Sequence, residues 1–164
     1  METLRHVVSF FEAVGQVAAV VLLAAGLVLV CGLAWLGRAS RRMGPLVSPA
    51  EGPLRADGKK PNWVATTASP RDPLHFVAPR PCAENPIPAL AAYLEKNGYA
   101  VRVATGRYLH ATQSSFRFGF VDDVEFLHDP QAGLLHARSA SRVGYSDLGV
   151  NRRRLETIFR ETGL

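Results

Sequence analysis

The sequence predicts an α+β protein in which an amino-terminal transmembrane helix precedes a two-layer domain with a four-stranded antiparallel meander and two helices. Two observations support this fold class. An apolar run without charged residues occupies residues 14–36, and residues 61–164 contain four β-like runs with short connections between two segments of helical periodicity. Short connections favour antiparallel neighbours, and two helices on one sheet face complete a two-layer domain.

Residues 1–37 are predicted to form an amino-terminal tail and the membrane helix. A helix of residues 14–36 reaches about 35 Å at about 1.5 Å per residue, which exceeds the roughly 30 Å of a hydrocarbon core. Trp35 suits the membrane interface, and Arg38 ends the apolar run. A cleaved signal peptide is the alternative, although its apolar core is normally about 7–15 residues long. We therefore expect a single-pass protein of the cell membrane that contacts lipid through residues 14–42.

The side of the membrane that holds the carboxy-terminal domain stays open at this point. Arg5 precedes the apolar run, whereas Arg38, Arg41 and Arg42 follow it. The positive-inside rule therefore favours a cytoplasmic domain. A reporter fused to the carboxyl terminus would decide between the two sides.

Residues 38–60 are predicted to form a basic linker rich in proline and glycine. Much of the net charge of +5 lies here, directly after the apolar run. Such a cluster favours anionic lipid headgroups. A nucleic-acid partner, which we do not expect, would instead need basic and aromatic residues interleaved on the folded domain. Residues 43–60 are expected to be an extended, mobile tether.

The domain is predicted to begin with a proline-rich stretch and a helix. Residues 61–84 carry apolar residues that indicate irregular structure or a short strand against the domain. Asn85 is a suitable N-cap, Pro86 suits the first helical position, and Asn97 with the following glycine ends this helix. Alternating runs then predict four strands, and helical periodicity predicts a last helix; these elements span residues 99–104, 108–113, 121–128, 134–141 and 151–161.

The densest group of candidate site residues lies in residues 138–154. Strand alternation places Arg138 and Arg142 on one face with the small Ala140 between them, so both guanidinium groups are able to approach one anion. The helix predicted to begin near Asn151 directs free N–H groups toward the same region. The candidate ligand-binding residues are Arg138, Arg142, Tyr145, Asp147, Asn151, Arg152, Asp122, Asp123 and His110.

Structural ion pairs are the alternative explanation of these charges. The hairpin predicted at residues 129–133 places residues near 123 opposite residues near 138, where opposite charges stabilise a pair of strands. Asp147 is also able to cap the last helix. Asp122, Asp123 and Glu125 are able to neutralise Arg138 across the strands, and Asp147 is able to neutralise Arg142. The sequence leaves the anion site and the ion pairs open.

No motif predicts a metal or a cofactor. His110, His128 and His136 are able to approach one another across neighbouring strands, but no pair of ligands has a recognised metal-binding spacing. Ser139 and Ser141 lack the Gly-x-Ser-x-Gly elbow of a serine hydrolase. We therefore expect neither a metal site nor this type of catalysis.

Four blocks of the sequence resemble the family known as domain of unknown function 1499. The blocks are residues 61–64 (PNWV), 108–111 (YLHA), 120–126 (FVDDVEF) and 138–154 (RSASRVGYSDLGVNRRR). The family commonly has Cys in place of Trp63. The resemblance covers roughly residues 61–164 and implies a bacterial or plant protein that is often exported or membrane-bound. It favours an exported domain, in contrast to the charge pattern, and implies no activity, catalytic residue or cofactor.

The sequence leads to three functional hypotheses. The first is a membrane-anchored binding module for an anionic small molecule or an acidic protein surface. The second is an enzyme that uses Asp122 or Asp123 as a general base beside an arginine, which requires one of these carboxylates in a concave pocket. The third is a structural or interaction subunit of an envelope complex, assembled through residues 14–36. Of the three, we favour binding over catalysis.

Overall fold

The protein divides into two compact units, Met1–Trp35 and Leu36–Leu164. The first unit is helical, and the second contains one β-sheet and two further helices. The computed structural model describes residues 1–45, 47–48, 52–56 and 58–164.

Helix α1 spans Glu2–Arg42. It is long and apolar enough to cross a membrane, by length and composition. The apolar run of residues 14–36 lies inside α1, and the helix extends beyond it at both ends. Glu2 lies in the first turn and Arg41 and Arg42 lie in the last, where these charges interact favourably with the helix dipole.

The second unit is built on a six-stranded antiparallel sheet. The strand order is β1-β6-β5-β4-β3, and β2 also pairs with β6. The last four strands form the predicted meander. The strands are β1 Trp63–Ala65, β2 Arg80–Pro81, β3 Ala100–Thr105, β4 Tyr108–Ser114, β5 Val121–Asp129 and β6 Leu134–Ser141.

The predicted number of four strands is too low, because β1 and β2 were not counted. β1 has three residues and β2 has two, and such short segments contain too little alternation to predict a strand. Both pair with β6. Proline has no N–H to donate and is therefore confined to the edges of sheets. Pro81 is tolerated because β2 pairs with β6 alone among the described strands. Residues 61–84 were predicted to be irregular structure or a short strand, and both β1 and β2 lie within this stretch.

Helices α2 and α3 pack on one face of the sheet and confirm the two-layer α+β fold. Helix α2 spans Ile87–Lys96, and α3 spans Val150–Thr162. Asn85 Oδ1 accepts a hydrogen bond from the N–H of Ile87 at 3.2 Å, but the N-cap residue of α2 is Pro86. The prediction of Asn85 as the N-cap and Pro86 as the first helical residue is therefore wrong by one position. The core under the helices contains Val64, Val77, Ile87, Leu90, Leu94, Leu109, Ala111, Val124, Phe126, Leu135, Ala137, Leu155, Ile158 and Phe159.

Two described residues of the predicted tether, residues 43–60, are buried in the domain. Ser48 is 5% exposed and Leu54 is 2% exposed. The carbonyl of Leu54 accepts a hydrogen bond from Thr67 Oγ1, and the hydroxyl of Ser48 accepts one from the N–H of Arg55, both at 2.9 Å. The prediction of a mobile tether is therefore wrong at these two residues, because composition alone does not reveal such contacts. Other parts of that prediction lie outside the described residues, at Leu46, Pro49, Ala50, Glu51 and Asp57.

Candidate functional site

The sheet face that points away from α2 and α3 carries a cluster of charged side chains. Val124 and Phe126 of β5 pack in the core under the helices, so Asp123 and Glu125 point to the opposite side. The same alternation holds in β4 and β6, and Arg142 directly follows β6. We call this cluster the polar face; its residues are Tyr108, His110, Asp123, Glu125, Arg138 and Arg142.

Glu125 accepts three hydrogen bonds at the centre of the polar face. Its Oε2 accepts from Arg138 Nη1 at 2.8 Å, and its Oε1 accepts from the Tyr108 hydroxyl at 2.8 Å and from the N–H of Ser48 at 2.7 Å. Glu125 is 0% exposed, so these donors replace the water that an ionised carboxylate would otherwise bind. Burial, together with the nearby charge of Glu125, raises the pKa of Tyr108 and keeps its phenol protonated as a donor.

Asp123 is the second buried carboxylate of the polar face. Its two oxygens accept from Arg142 Nε at 2.9 Å and Arg142 Nη2 at 2.8 Å, a bidentate geometry. His110 Nε2 lies 2.9 Å from Asp123 Oδ1, and this contact assigns the ring proton to Nε2. Arg142 thus uses its planar guanidinium to hold Asp123. Structural ion pairs are therefore present, but Arg142 pairs with Asp123 and not with Asp147, the partner that the ion-pair alternative predicted.

Main-chain groups from the segment after α1 also reach the polar face. The N–H of Ser48 donates to Glu125, and the carbonyl of Met43 accepts from Arg142 Nη1 at 2.9 Å. Just before them, the Ser40 hydroxyl accepts from the N–H of Val121 at 2.8 Å and donates to the Val121 carbonyl at 3.3 Å. The last turn of α1 is therefore hydrogen-bonded to β5, and the chain that follows α1 is hydrogen-bonded to the polar face.

Within the part of the chain that the structure describes, each buried carboxylate of the polar face has an arginine partner. Asp123 and Glu125 are each paired with an arginine, Arg142 and Arg138 respectively. A further anion would add negative charge beside two buried carboxylates.

A separate polar network joins α3 to the helix-covered side of the sheet. Arg154 Nη2 donates to Asp122 Oδ2 at 2.5 Å, and Arg154 Nη1 donates to Asn151 Oδ1 at 2.6 Å. Asn151 is 0% exposed, and its Nδ2 donates to the Asn62 carbonyl and to Ser141 Oγ, both at 3.0 Å. These bonds make Asp122 and Asn151 part of the packing between α3 and β6, away from the polar face.

The start of α3 is capped by the chain itself. Asp147 accepts from the N–H of Gly149 at 3.0 Å and from the N–H of Asn151 at 2.8 Å. The N-cap residue of α3 is Gly149, and Asp147 accepts these bonds from two positions before it. The Asp147 carboxylate thus occupies the place that an anion would take at a helix amino terminus. Arg152 Nη2 donates to the carbonyls of Pro73 and Phe76, both at 2.9 Å.

The nine predicted site residues therefore fall into separate places. Arg138, Arg142, Asp123 and His110 meet on the polar face, whereas Tyr145 is 72% exposed. The remaining four, Asp122, Asp147, Asn151 and Arg152, hold α3 on the domain. Tyr108 was not predicted as a site residue, and Glu125 was predicted only as a neutralising charge. Strand alternation could have identified both, because Tyr108 lies two residues from His110 and Glu125 lies two residues from Asp123, so each pair shares a sheet face.

The contacts of the two aspartates do not favour the enzyme hypothesis. Asp122 and Asp123 each accept a hydrogen bond from an arginine, which occupies an oxygen that a general base would use. Within the described ranges, no three His, Cys, Asp or Glu side chains are grouped so that they could hold a metal ion.

The fold and the polar face define a class: a small α+β domain that follows an apolar helix and contains a buried, charge-balanced network. The family model described as "Protein of unknown function (DUF1499)" matches residues 53–161. The chain therefore belongs to this family, as its sequence blocks indicate. No curated protein matches the chain, and no solved structure matches it.

Proposed function

We propose that this protein is a single-pass membrane protein whose domain is a binding module for an extended peptide segment, and that the polar face is its recognition surface. The observation that carries the proposal is the pair of main-chain contacts made by Ser48 and Met43. One N–H donates to Glu125 and one carbonyl accepts from Arg142. The chain's own segment would thus occupy the site as an internal peptide.

Main-chain contacts support a peptide rather than an anion as the ligand. Peptide recognition through backbone N–H and carbonyl groups supplies affinity that does not depend on one particular side chain. The anionic ligand expected from Arg138 and Arg142 is less well supported, since each arginine is already paired with a carboxylate. The proposal therefore keeps the binding function and changes the chemical class of the ligand.

The cost of burying charges gives a second argument. Two ion pairs in a protein interior are seldom more stabilising than apolar side chains of similar volume, because desolvation of the charges opposes their attraction. Glu125 and Asp123 are nevertheless fully buried. Apolar side chains at these positions would make the domain at least as stable as the ion pairs do. A role in recognition would explain why charged side chains are present instead.

The direct test opens the site and supplies the segment as a separate molecule. In the full chain in detergent micelles, Ser48→Pro removes the N–H that donates to Glu125. A fluorescent synthetic peptide with the sequence of residues 40–52 is then titrated. We expect saturable binding to Ser48→Pro that is at least about tenfold tighter than binding to the unmodified chain, because the internal competitor is weakened.

Two controls make the test specific to the backbone. Ser48→Ala keeps the main-chain N–H and should bind the peptide as weakly as the unmodified chain. A peptide methylated on the backbone nitrogen at the position of Ser48 should lose affinity for Ser48→Pro. Equal binding of the methylated and unmethylated peptides would contradict the proposal, as would the absence of saturable binding.

The described contacts give less support to the enzyme hypothesis and to the hypothesis of a subunit in an envelope complex. An enzyme needs a carboxylate that is free to take a proton, and both candidate aspartates are held by arginines. A subunit assembled through residues 14–36 rests on the apolar run alone. The peptide proposal holds on either side of the membrane.

A further inference from the structure

The loop between β4 and β5 holds an aromatic side chain away from the domain. Phe116 is 102% exposed. The loop around it is closed by hydrogen bonds: the N–H of Ser115 donates to the Phe120 carbonyl at 2.8 Å, and the N–H of Phe120 donates to Ser115 Oγ at 3.0 Å. The rings of Phe118 and Phe120 pack edge to face with centroids 6.1 Å apart. The Phe116 side chain therefore projects into solvent from a hydrogen-bonded loop, in which the other two phenylalanines pack against each other.

The same loop is bonded to the last turns of α1. Arg41 Nη1 donates to the carbonyls of Phe118 and Gly119, both at 3.1 Å. Gly37 lies so close that an added Cβ would stand 1.8 Å from the Phe118 carbonyl oxygen. The loop and residues 37–41 therefore form one packed unit.

The position of these residues in the chain relates the loop to a bilayer. The apolar run ends at Leu36, and Gly37 follows it directly. Helical rise is about 1.5 Å per residue, so residues 37–41 extend about 8 Å beyond the end of the apolar run. A polar headgroup layer is roughly 5–8 Å thick on each side of the hydrocarbon core. If residues 14–36 cross the membrane, the contacts with the loop lie at headgroup depth.

The charges around the loop match an anionic surface. Arg117 is exposed beside Phe116, and the exposed Arg38, Arg41 and Arg42 lie in the packed end of α1. Basic residues at this depth are attracted to anionic lipid headgroups. An exposed phenylalanine among basic residues is the arrangement by which peripheral segments enter the interface.

We propose that the loop of residues 115–120 is a second membrane contact, in which Phe116 enters the interface of the bilayer that α1 crosses and Arg117 binds anionic headgroups. The inference rests on the membrane crossing proposed above and is independent of peptide binding. Its occupant is a lipid surface, because the loop is bonded to the residues that directly follow the apolar run. The domain would thus be held against the bilayer at two points of its chain.

The test measures the depth of residue 116 in the full chain. Phe116→Cys is made in a background with Cys31→Ser and Cys82→Ser, labelled with bimane and reconstituted into vesicles of phosphatidylcholine and phosphatidylglycerol that carry nitroxide-labelled lipids. The matched control is Gln131→Cys, because Gln131 is exposed in the β5–β6 turn at the opposite end of the sheet. Alkaline extraction first establishes that the protein is integral to the vesicles.

We expect the lipid nitroxides to quench bimane at residue 116 at least about threefold more strongly than at residue 131, and quenching at 116 to weaken in vesicles of phosphatidylcholine alone. Equal quenching at the two positions in an integral protein would overturn the loop contact. A protein partner that covered Phe116 instead of lipid would give this same result. A protein removed by alkaline extraction would instead overturn the membrane crossing. The two failures are therefore distinguishable.

Discussion

Arg142 and Asp123 are joined by two parallel hydrogen bonds, from Nε to Oδ2 at 2.9 Å and from Nη2 to Oδ1 at 2.8 Å. Asp123 is 0% exposed, and the Arg142 side chain is 9% exposed. The remaining Nη1 of Arg142 donates to the Met43 carbonyl. One guanidinium thus neutralises a buried carboxylate and also binds the chain segment that follows α1.

Removing Arg142 should destabilise the domain. In Arg142→Ala, Asp123 stays buried without its cationic partner, and we expect the free energy of unfolding to fall by about 3–5 kcal/mol. Urea unfolding of the full chain in detergent micelles, followed by tryptophan fluorescence, measures the change. Arg142→Lys is the control: it keeps the charge without the bidentate geometry and should lose less. A loss below about 0.5 kcal/mol in both variants would show that the pair does not stabilise the domain.

Strand alternation and the position of the turn are enough to predict part of the ion pairing. The turn at Asp129 sets the register in which Glu125 lies opposite Arg138, and this pair was one of the predicted alternatives. Which alternative holds depends on side-chain geometry across three strands. No local pattern reports this geometry, because Arg142 reaches Asp123 from beyond the end of β6.

The segment that reaches the polar face was not predictable from its composition. Met43 and Ser48 contact it through a carbonyl and an N–H, which every non-proline residue possesses. Proline and glycine around them are typical of a tether. Arg154 was not predicted as a site residue, because a run of three arginines at the start of a helix does not by itself show which of the three helical phase turns toward Asp122.

A double-mutant cycle should detect coupling between Glu125 and Arg138. Glu125→Gln and Arg138→Gln each leave one charge buried beside a neutral amide, and each should cost about 3 kcal/mol. The double variant removes both charges, so its loss should be smaller than the sum of the single losses by about 1–3 kcal/mol. Unfolding in urea, measured as above, gives the three changes.

The matched pair for this cycle is Arg160 and Glu161. Their charged groups lie 3.8 Å apart, and the side chains are 69% and 47% exposed. Solvent screens such a pair, so its coupling should stay below about 0.5 kcal/mol. Additive losses at Glu125 and Arg138, similar to those of the exposed pair, would contradict the buried network.

Alkaline pH should destabilise the domain through Tyr108. Burial and Glu125 raise the pKa of Tyr108 in the folded chain, so the folded state keeps a proton that the unfolded chain releases above its ordinary pKa of about 10. The free energy of unfolding therefore falls as pH rises beyond about 10. Tyr108→Phe should lower stability at neutral pH by about 1.5–3 kcal/mol, through loss of a hydrogen bond to a charged group, and should make the alkaline decline less steep.

A phenol outside the polar face provides the control for this measurement. Tyr93 donates to Glu161 Oε2 at 2.7 Å, and burial raises the pKa of Tyr93 to about 12. Tyr93→Phe should change the alkaline decline without changing any contact of Glu125. Titration of phenolate absorbance in the two variants assigns the protons. An alkaline decline that is unchanged in Tyr108→Phe would contradict the role of Tyr108.

Gly37 is the position at which a single methyl group should separate α1 from the β4–β5 loop. An added Cβ would stand 1.8 Å from the carbonyl oxygen of Phe118, which is main chain and has little room to move. Alanine normally stabilises a helix relative to glycine by about 0.5–1 kcal/mol. Here we expect Gly37→Ala to destabilise the domain by about 1–3 kcal/mol through overpacking.

Gly32→Ala is the matched control in the same helix, because no atom lies within 4 Å of its added Cβ. Thermal unfolding of both variants in detergent micelles measures the difference, and equal midpoints would show that the end of α1 is not packed against the loop.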